Sequence, residues 1–292
     1  MNFNDFSNEQ QWKDFLFRIK NSVSIINKDE DFFTQSLIET IEQALSKINL
    51  KLNKRFTLLF SAGADSTLLA VLSKRLNLNF EVLSIGFENS EDIVLSRKLA
   101  KKLNLEYREK ILSEKEVYQA MKIISPLFSN HEFVVKELAC FEYLAFKESL
   151  PLIVTGTGSE EIFAGYSRHL MAKDINKECW NGLENIFWKR DVLRVKTLSR
   201  LLNREVLIPF LDENVIRLAM SMPAELKIKD GFRKYIIAKA LQHLGLEDEF
   251  AFRKKKAAQY GSGMDKFFTK LAKKNGLKNK EELFSQGFLN KF

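Results

Sequence analysis

The feature that most constrains this chain is the stretch at residues 56–69, FTLLFSAGADSTLL. A run of bulky residues ends abruptly in small and polar ones, and apolar residues at helical spacing resume at Leu68. This succession predicts a strand, a tight loop and a helix. The loop therefore places small polar groups at the end of a strand.

The chain beyond this stretch alternates between the two kinds of secondary structure. Strands are predicted at 56–60, 80–86, 106–112 and 152–155, and helices at 66–76, 91–103, 114–124 and 134–148. Such alternation indicates a parallel sheet covered by helices. No strand is predicted beyond Gly165. We therefore expect an α/β fold of the parallel-sheet, Rossmann-like class, with two amphipathic helices as a lead-in over residues 1–50 and a domain over 51–292 that is parallel α/β to about 170 and mostly helical thereafter.

Composition narrows the class of protein. The 292 residues are 45% hydrophobic, and no apolar run approaches the roughly 18 residues that a membrane span needs. The N-terminus lacks the apolar core of a secretory signal, so a cytoplasmic protein without membrane partners is expected. Two cysteines without CxxC spacing and three scattered histidines argue against thiol chemistry and zinc. A net charge of +8 suits an anionic ligand such as ATP, pyrophosphate or RNA.

The small polar loop has the parts of a phosphate site. In open α/β sheets, ligands bind at the carboxyl ends of strands, where helix N-termini offer free N–H groups. Ser61 and Ser66 add hydroxyl groups, Gly63 lets a phosphate approach the backbone, and Asp65 could hold Mg²⁺. Neither GxxxxGK[ST] nor a GxGxxG following a strand occurs, so a third type of phosphate loop is needed.

SAGADST resembles the SGGxDS loop of enzymes that split ATP into AMP and pyrophosphate. A structural alternative is that Ser66 or Asp65 simply caps the following helix. Ala62 departs from the pattern, in which glycine is usual. If the position requires a positive φ, alanine would cost on the order of 1 kcal/mol there.

Later motifs point to one branch of these enzymes. VTGTGSEEIFAGYSRH at 154–169 resembles the SGEGxDELFGGYxRH segment of asparagine synthetases. LIPFLDENVIRLAMSMP at 207–223, DGFRKYIIAKAL at 230–241 and RKKKAAQYGSG at 253–263 resemble three further segments of that family. The PFLD segment also has a plain structural interpretation, as a turn into a helix capped by Asp212. Four motifs in the family's order identify the chain as similar to the asparagine synthetase family.

The resemblance implies an adenine nucleotide alpha hydrolase-type domain, ATP as substrate, Mg²⁺ as cofactor and a set of site residues. Those implied to bind ATP are Phe60, Ser61, Gly63, Asp65, Ser66, Ile85, Thr155 and Gly156. Those implied to bind pyrophosphate are Ser61, Ser66, Lys234, Arg253 and Lys255. Asp65 and Glu160 are implied to bind the metal, and Asp65, Glu160 and Lys234 are the candidate catalytic residues.

Two departures leave the acceptor chemistry open. The family's carboxylate within SGEG is Thr157 here, and a hydroxyl cannot act as a general base near neutral pH, so Glu160 or Glu161 substitutes or the chemistry differs. The N-terminal glutaminase that the family's glutamine-dependent members carry is not found in this sequence. Nitrogen is then expected from ammonia, an amine or a separate glutaminase subunit.

The predicted function is an ATP-dependent, AMP-forming carbon–nitrogen ligase. It would adenylylate a small-molecule carboxylate, with aspartate the first candidate, and amidate it with ammonia or an amine. One alternative is an RNA-modifying enzyme of the same fold, which the basic charge favours. The missing CxxC pair and the later motifs argue against it, so nucleic acid is not the expected partner. A degenerate, nucleotide-binding subunit is the other alternative.

Overall fold

The computed structural model of the chain describes residues 6–52, 54–253 and 258–289. The strands are β1 (Phe56–Leu59), β2 (Phe80–Gly86), β3 (Tyr107–Ile111), β4 (Leu152–Val154), β5 (Glu205–Leu207), β6 (Ile228–Lys229) and β7 (Phe232–Arg233). The helices are α1 (Glu9–Lys20), α2 (Glu30–Leu52), α3 (Ala64–Arg75), α4 (Glu91–Lys102), α5 (Glu114–Leu127), α6 (Phe133–Glu148), α7 (Ser159–Ile162), α8 (Ser167–Leu170), α9 (Ile175–Asn181), α10 (Leu193–Leu202), α11 (Glu213–Ser221), α12 (Ala224–Lys227), α13 (Tyr235–His243), α14 (Asp248–Ala251), α15 (Ala258–Gly261), α16 (Met264–Lys274) and α17 (Gln286–Leu289). A π-helix spans Gly182–Val192, and 3₁₀ helices span Pro209–Leu211 and Glu281–Phe284.

The main sheet has five parallel strands in the order β3-β2-β1-β4-β5. Phe56 of β1 lies opposite Phe80 of β2, and Thr57 lies opposite Ile153 of β4. The chain builds outward from β1 to β3 and then returns to place β4 on the other side of β1. The carboxyl ends of β1 and β4 thus flank the topological switch point, where open α/β sheets bind ligands.

The three central strands, β2, β1 and β4, are buried over consecutive residues rather than alternate ones. All three residues of β4 are buried, as are the last six residues of β2. A parallel sheet covered by helices on both faces produces this pattern because neither face meets water. The predicted parallel α/β class is therefore confirmed.

The two predicted N-terminal helices are present as α1 and α2, and they belong to the same hydrophobic core as the sheet. The indole Nε1 of Trp12 donates a hydrogen bond of 2.9 Å to the carbonyl of Leu183 in the π-helix. Trp12 is fully buried there, so α1 is fixed to the later, helical part of the chain.

The prediction of no strand beyond Gly165 is wrong. β5 extends the sheet, with Glu205 opposite Leu152 and Leu207 opposite Val154. Three residues are too few to show strand periodicity in a sequence, and β5 is a strand only because β4 offers it a free edge. The Asp230–Gly231 turn also joins a two-stranded antiparallel hairpin, β6-β7, in the part of the chain that was expected to be mostly helical.

In the described part of the chain, no helix is both long enough and apolar enough to cross a membrane.

Candidate active site

The first segment of the site (residues 60–66) leaves β1 and enters α3. The Ser66 hydroxyl lies 3.4 Å from the Ser61 hydroxyl and donates to the Gly63 carbonyl at 3.2 Å. The backbone N–H of Ser61 donates to Ser66 Oγ at 3.3 Å. These contacts fold the segment back on itself at the end of the strand. Both hydroxyl groups therefore lie beside the N-terminus of α3, which favours anions.

The N-cap of α3 is neither Ser66 nor Asp65, although either residue could have capped this helix according to the sequence. Gly63 is the N-cap residue, and Asp65 lies inside the first turn of the helix. Ala62 adopts φ +49°, which is the left-handed conformation that glycine favours. The segment therefore keeps the positive φ expected of a glycine-containing loop although it carries alanine.

The second segment of the site (residues 155–166) follows β4 and contains Glu160 in the short helix α7. Because β1 and β4 are neighbours, this segment faces the first one. Gly156 permits the approach, since a β-carbon there would lie 3.1 Å from the β-carbon of Asp65. Sheet topology thus brings Asp65 and Glu160 together although they lie 95 positions apart in the sequence.

Lys234 joins the two carboxylates. Its Nζ lies 2.6 Å from Asp65 Oδ2 and 2.6 Å from Glu160 Oε1, and it also donates to Ser159 Oγ at 3.1 Å. Lys234 is the N-cap of α13 and has φ +57°. Gly165 makes room for the cluster: a β-carbon there would lie 1.7 Å from Glu160 Oε2 and 2.4 Å from Lys234 Cε.

The electrostatics of the cluster keep Lys234 charged. Burial disfavours the ammonium group, but Asp65 and Glu160 outweigh burial and raise the pKa of Lys234 above its usual value. Its side chain is 11% exposed, whereas that of Glu160 is 40% exposed. The cluster therefore carries one net negative charge and opens to solvent on the Glu160 side.

The donor set fits a hard divalent cation such as Mg²⁺. Oxygens from two separate segments converge on one positive group, the Lys234 ammonium, which occupies the position of a cation between them. Asp65 Oδ1 is buried and has no hydrogen-bond partner among the described residues. In that part of the chain no group of three or more His, Cys, Asp and Glu side chains converges. Mg²⁺ commonly takes one or two carboxylates together with phosphate oxygens and water, which matches this set.

Arg253 reaches the first segment from the C-terminal part of the chain. It donates to the Ala62 carbonyl at 3.2 Å and to Glu91 Oε1 at 3.0 Å, and its side chain is 16% exposed. This contact places a guanidinium group on the loop that was expected to hold phosphate. Lys255, the other predicted pyrophosphate ligand of this stretch, lies outside the described residues.

The residues predicted near the nucleotide base and ribose lie at or just beyond the ends of three neighbouring strands. Phe60 and Ile85 are buried, and the Phe60 carbonyl accepts a hydrogen bond of 2.5 Å from Ser84 Oγ. Thr155 Oγ1 lies 2.9 Å from Thr157 Oγ1, so the hydroxyl group that replaces the family's carboxylate is hydrogen-bonded to its neighbour. Their nucleotide contacts stay a prediction.

Glu161 does not belong to the Lys234 cluster. It is 1% exposed, and its Oε1 accepts hydrogen bonds of 2.8 Å from both Tyr166 and Arg190. Burial and the neighbouring Asp191 raise its pKa, although Arg190 opposes the shift. These contacts argue against Glu161 as the substitute base. Tyr166 was visible in the second motif, but Arg190 lies in the π-helix and no sequence pattern marks it.

Comparison with known proteins supports the resemblance. The sequence matches the asparagine synthase family over residues 37–207 and 172–291. It is similar to a putative glutamine-hydrolyzing asparagine synthetase of Methanocaldococcus jannaschii, with 30% identity over 83% of this chain and 52% of that protein. It is also similar to the glutamine-hydrolyzing asparagine synthetase of Gallus gallus, with 29% identity over 75% of this chain and 42% of that protein.

The chain thus spans about half the length of the curated relatives it matches. Among solved structures, the NH3-dependent NAD synthetase of Campylobacter jejuni aligns with 78% of this chain and 99% of its own, at 17% identity and a TM-score of 0.32. The family match, in contrast, extends from the second N-terminal helix almost to the last residue. As the four ordered motifs predict, this chain belongs to the asparagine synthase family.

Proposed function

We propose that this protein is an ATP-dependent ligase that forms an amide through an acyl-adenylate. The observation that carries the proposal is the Asp65–Lys234–Glu160 cluster beside the hydroxyl-lined first segment, at the switch point of the sheet. A carboxylate oxygen of the acceptor attacks the α-phosphorus of ATP, and pyrophosphate leaves. Ammonia or an amine then attacks the acyl carbon, and AMP leaves as the amide forms.

The protein's own groups chiefly bind and orient the phosphates in this scheme. Ser61 and Ser66 offer hydroxyl groups, and the N-terminus of α3 offers backbone N–H groups to the triphosphate. Asp65 and Glu160 would hold Mg²⁺, which neutralises phosphate charge when bound. Arg253 lies close enough to the first segment to approach the leaving pyrophosphate. Fixed charges of this kind stabilise the developing negative charge without reorganising.

Lys234 has two roles in this proposal. In the structure its ammonium group holds the two carboxylates together. Lys234 contacts one oxygen of each carboxylate, so a cation bound to Asp65 and Glu160 would repel its ammonium group, which would then turn to the pyrophosphate oxygens. Lys234 would thereby exchange one set of anionic partners for another rather than remain unpaired and buried, which would be costly.

Aspartate is the first acceptor to test, and free ammonia is the first nitrogen source. The family membership supports both, and the Thr157 hydroxyl in place of a carboxylate is the reason to test other acceptors alongside. The whole activity, including any separate glutaminase subunit that delivers ammonia, belongs to the proposal.

The test measures pyrophosphate release from ATP and Mg²⁺ with aspartate and ammonium, followed by other carboxylates and tRNA, with products identified by mass spectrometry. Release that requires aspartate and yields asparagine and AMP is the expected result. Asp65→Ala should abolish it without unfolding the protein, because it removes a metal ligand while Glu160 still pairs with Lys234. Asp174→Asn is the matched control, since Asp174 only caps α9. ATP binding without pyrophosphate release under any condition would contradict the proposal.

A further inference from the structure

Two adjacent glutamates of α7 contact different partners. Glu160 reaches Lys234 and is 40% exposed, whereas Glu161 is buried and reaches Arg190. We propose that Arg190 is a positioning residue that holds Glu160 opposite Asp65 by binding Glu161. The inference rests on the proposed function, because that function gives Glu160 its task as a metal ligand.

The helix that carries Glu160 cannot hold it in place alone. α7 has four residues and is flanked by Gly158 at φ +90° and Ala164 at φ +55°. A helix of this length has no stability of its own, so tertiary contacts must fix its orientation. The side-chain tether of Glu161 is such a contact. Because the two glutamates are consecutive, a rotation of α7 that released Glu161 would also move Glu160.

Arg190 is itself rigidly held. Its Nε donates to Asp191 Oδ2 at 2.7 Å, and its Nη2 contacts both Glu161 and the Tyr166 hydroxyl. Asp191 in turn accepts a hydrogen bond of 2.9 Å from Arg194, which also pairs with Glu142 of α6 at 2.8 Å. This buried network anchors α7 to the π-helix and to α6. Partners behind the ligating groups of a metal site tune its affinity in this way.

The sheet offers a matched pair for comparison. Glu81 is 8% exposed and accepts hydrogen bonds of 2.7 Å from Arg108 and 2.9 Å from the Thr57 hydroxyl. Its environment resembles that of Glu161, with an arginine and a hydroxyl group hydrogen-bonded to a buried glutamate, and Arg55 adds a longer ion pair of 3.6 Å. Thr57, Glu81 and Arg108 are each the second residue of their strands, at the opposite end of the sheet from the site. Arg108→Met therefore removes a comparable ion pair without touching α7.

The test titrates Mn²⁺ into the full chain with α,β-methylene-ATP, which cannot be split between its α- and β-phosphates, and follows free Mn²⁺ by electron paramagnetic resonance. Arg190→Met should weaken Mn²⁺ binding by about tenfold or more, as the loss of a partner behind a metal ligand does. Arg190→Lys, which keeps the charge but not the fork, should recover part of the affinity. Arg108→Met should bind like the wild type, and circular dichroism checks that each variant is folded.

The outcomes separate positioning from stability. Wild-type affinity in folded Arg190→Met, or an equal loss in Arg108→Met, would overturn the inference. If Arg190→Met does not fold, Glu161→Gln decides, because it removes the charge that Arg190 binds. Unchanged Mn²⁺ binding in that folded variant would overturn the inference too. Absence of Mn²⁺ binding in the wild type would overturn both this inference and the metal role of Glu160. Since no turnover is measured, failure of the ligase assay alone leaves this result standing.

Discussion

Ala62 holds a backbone conformation that its side chain disfavours. Its φ of +49° lies in the left-handed region, and its carbonyl accepts a hydrogen bond from Arg253. Substitution Ala62→Gly should raise the free energy of unfolding by about 1 kcal/mol, because relief of the β-carbon clash exceeds the entropy that glycine adds to the unfolded chain. Urea unfolding measures the change. Ala240→Gly in the regular helix α13 is the control and should lower the free energy of unfolding by about 1 kcal/mol. An equal decrease in both variants would show that the backbone at Ala62 is not strained.

Lys234 competes with any cation for the same two carboxylates. Lys234→Met should therefore bind Mn²⁺ without nucleotide more tightly than the wild type does, since Asp65 and Glu160 lose their ammonium partner. The same variant should unfold more easily without metal and regain stability when Mn²⁺ is added. Electron paramagnetic resonance titration measures the Mn²⁺ affinity, and thermal unfolding measures the stability. Lys239→Met is the control, because Lys239 lies on the same helix and pairs with Glu30 instead.

At the scale of elements, the contact between α6 and α16 contains a buried acid. Glu137 of α6 is 2% exposed, and its Oε1 has no hydrogen-bond partner in the described residues. Burial, together with Asp265 of α16, raises the pKa of Glu137 from 4.5 to about 7, while Lys280 opposes the shift. The folded state therefore binds a proton at Glu137 that the unfolded state has already lost, and the contribution of Glu137 to stability falls as pH rises from 4.5 through about 7.

Glu137→Gln should abolish this fall. A shift of this size corresponds to about 3 kcal/mol, so the variant should exceed the wild type by up to that amount at alkaline pH and by little at acidic pH. Urea unfolding at several pH values measures the difference. Glu148→Gln, in the last turn of the same helix, should leave the pH dependence unchanged. A difference between Glu137→Gln and the wild type that does not grow with pH across this window would show that Glu137 is ionised in the fold.

Elements also show where sequence patterns stop being informative. The predicted strands and helices up to residue 155 are present because each carries its own periodicity, and Asp212 caps α11 as expected, accepting from Asn214 N–H at 3.1 Å. β5 and the β6-β7 hairpin were missed because two or three residues carry no period. Their strand conformation comes from partners: β4 for β5, and the chain reversal at Asp230 for the hairpin.

For the whole molecule, ligand binding should be visible as stability. A ligand that binds only the folded state at a hundred times its dissociation constant adds about 2.7 kcal/mol to the free energy of unfolding. Mg²⁺ with α,β-methylene-ATP should therefore raise the Tm of the wild type, and Asp65→Asn should lose most of that rise. The same nucleotide with a chelator gives the contribution of nucleotide alone. An equal rise in both proteins would exclude Asp65 from the nucleotide site.

The sequence by itself determined the class of the fold, the small polar loop after β1 and the family, because each rests on residues that are close together in the chain. It named Asp65 through the chemistry of the loop, and Glu160 and Lys234 only through resemblance. The tertiary structure decided that Lys234 bridges the two carboxylates, that Glu161 turns to Arg190, and that Arg253 reaches the Ala62 carbonyl. These contacts join residues far apart in the chain, and only the strand order and helix packing bring them together.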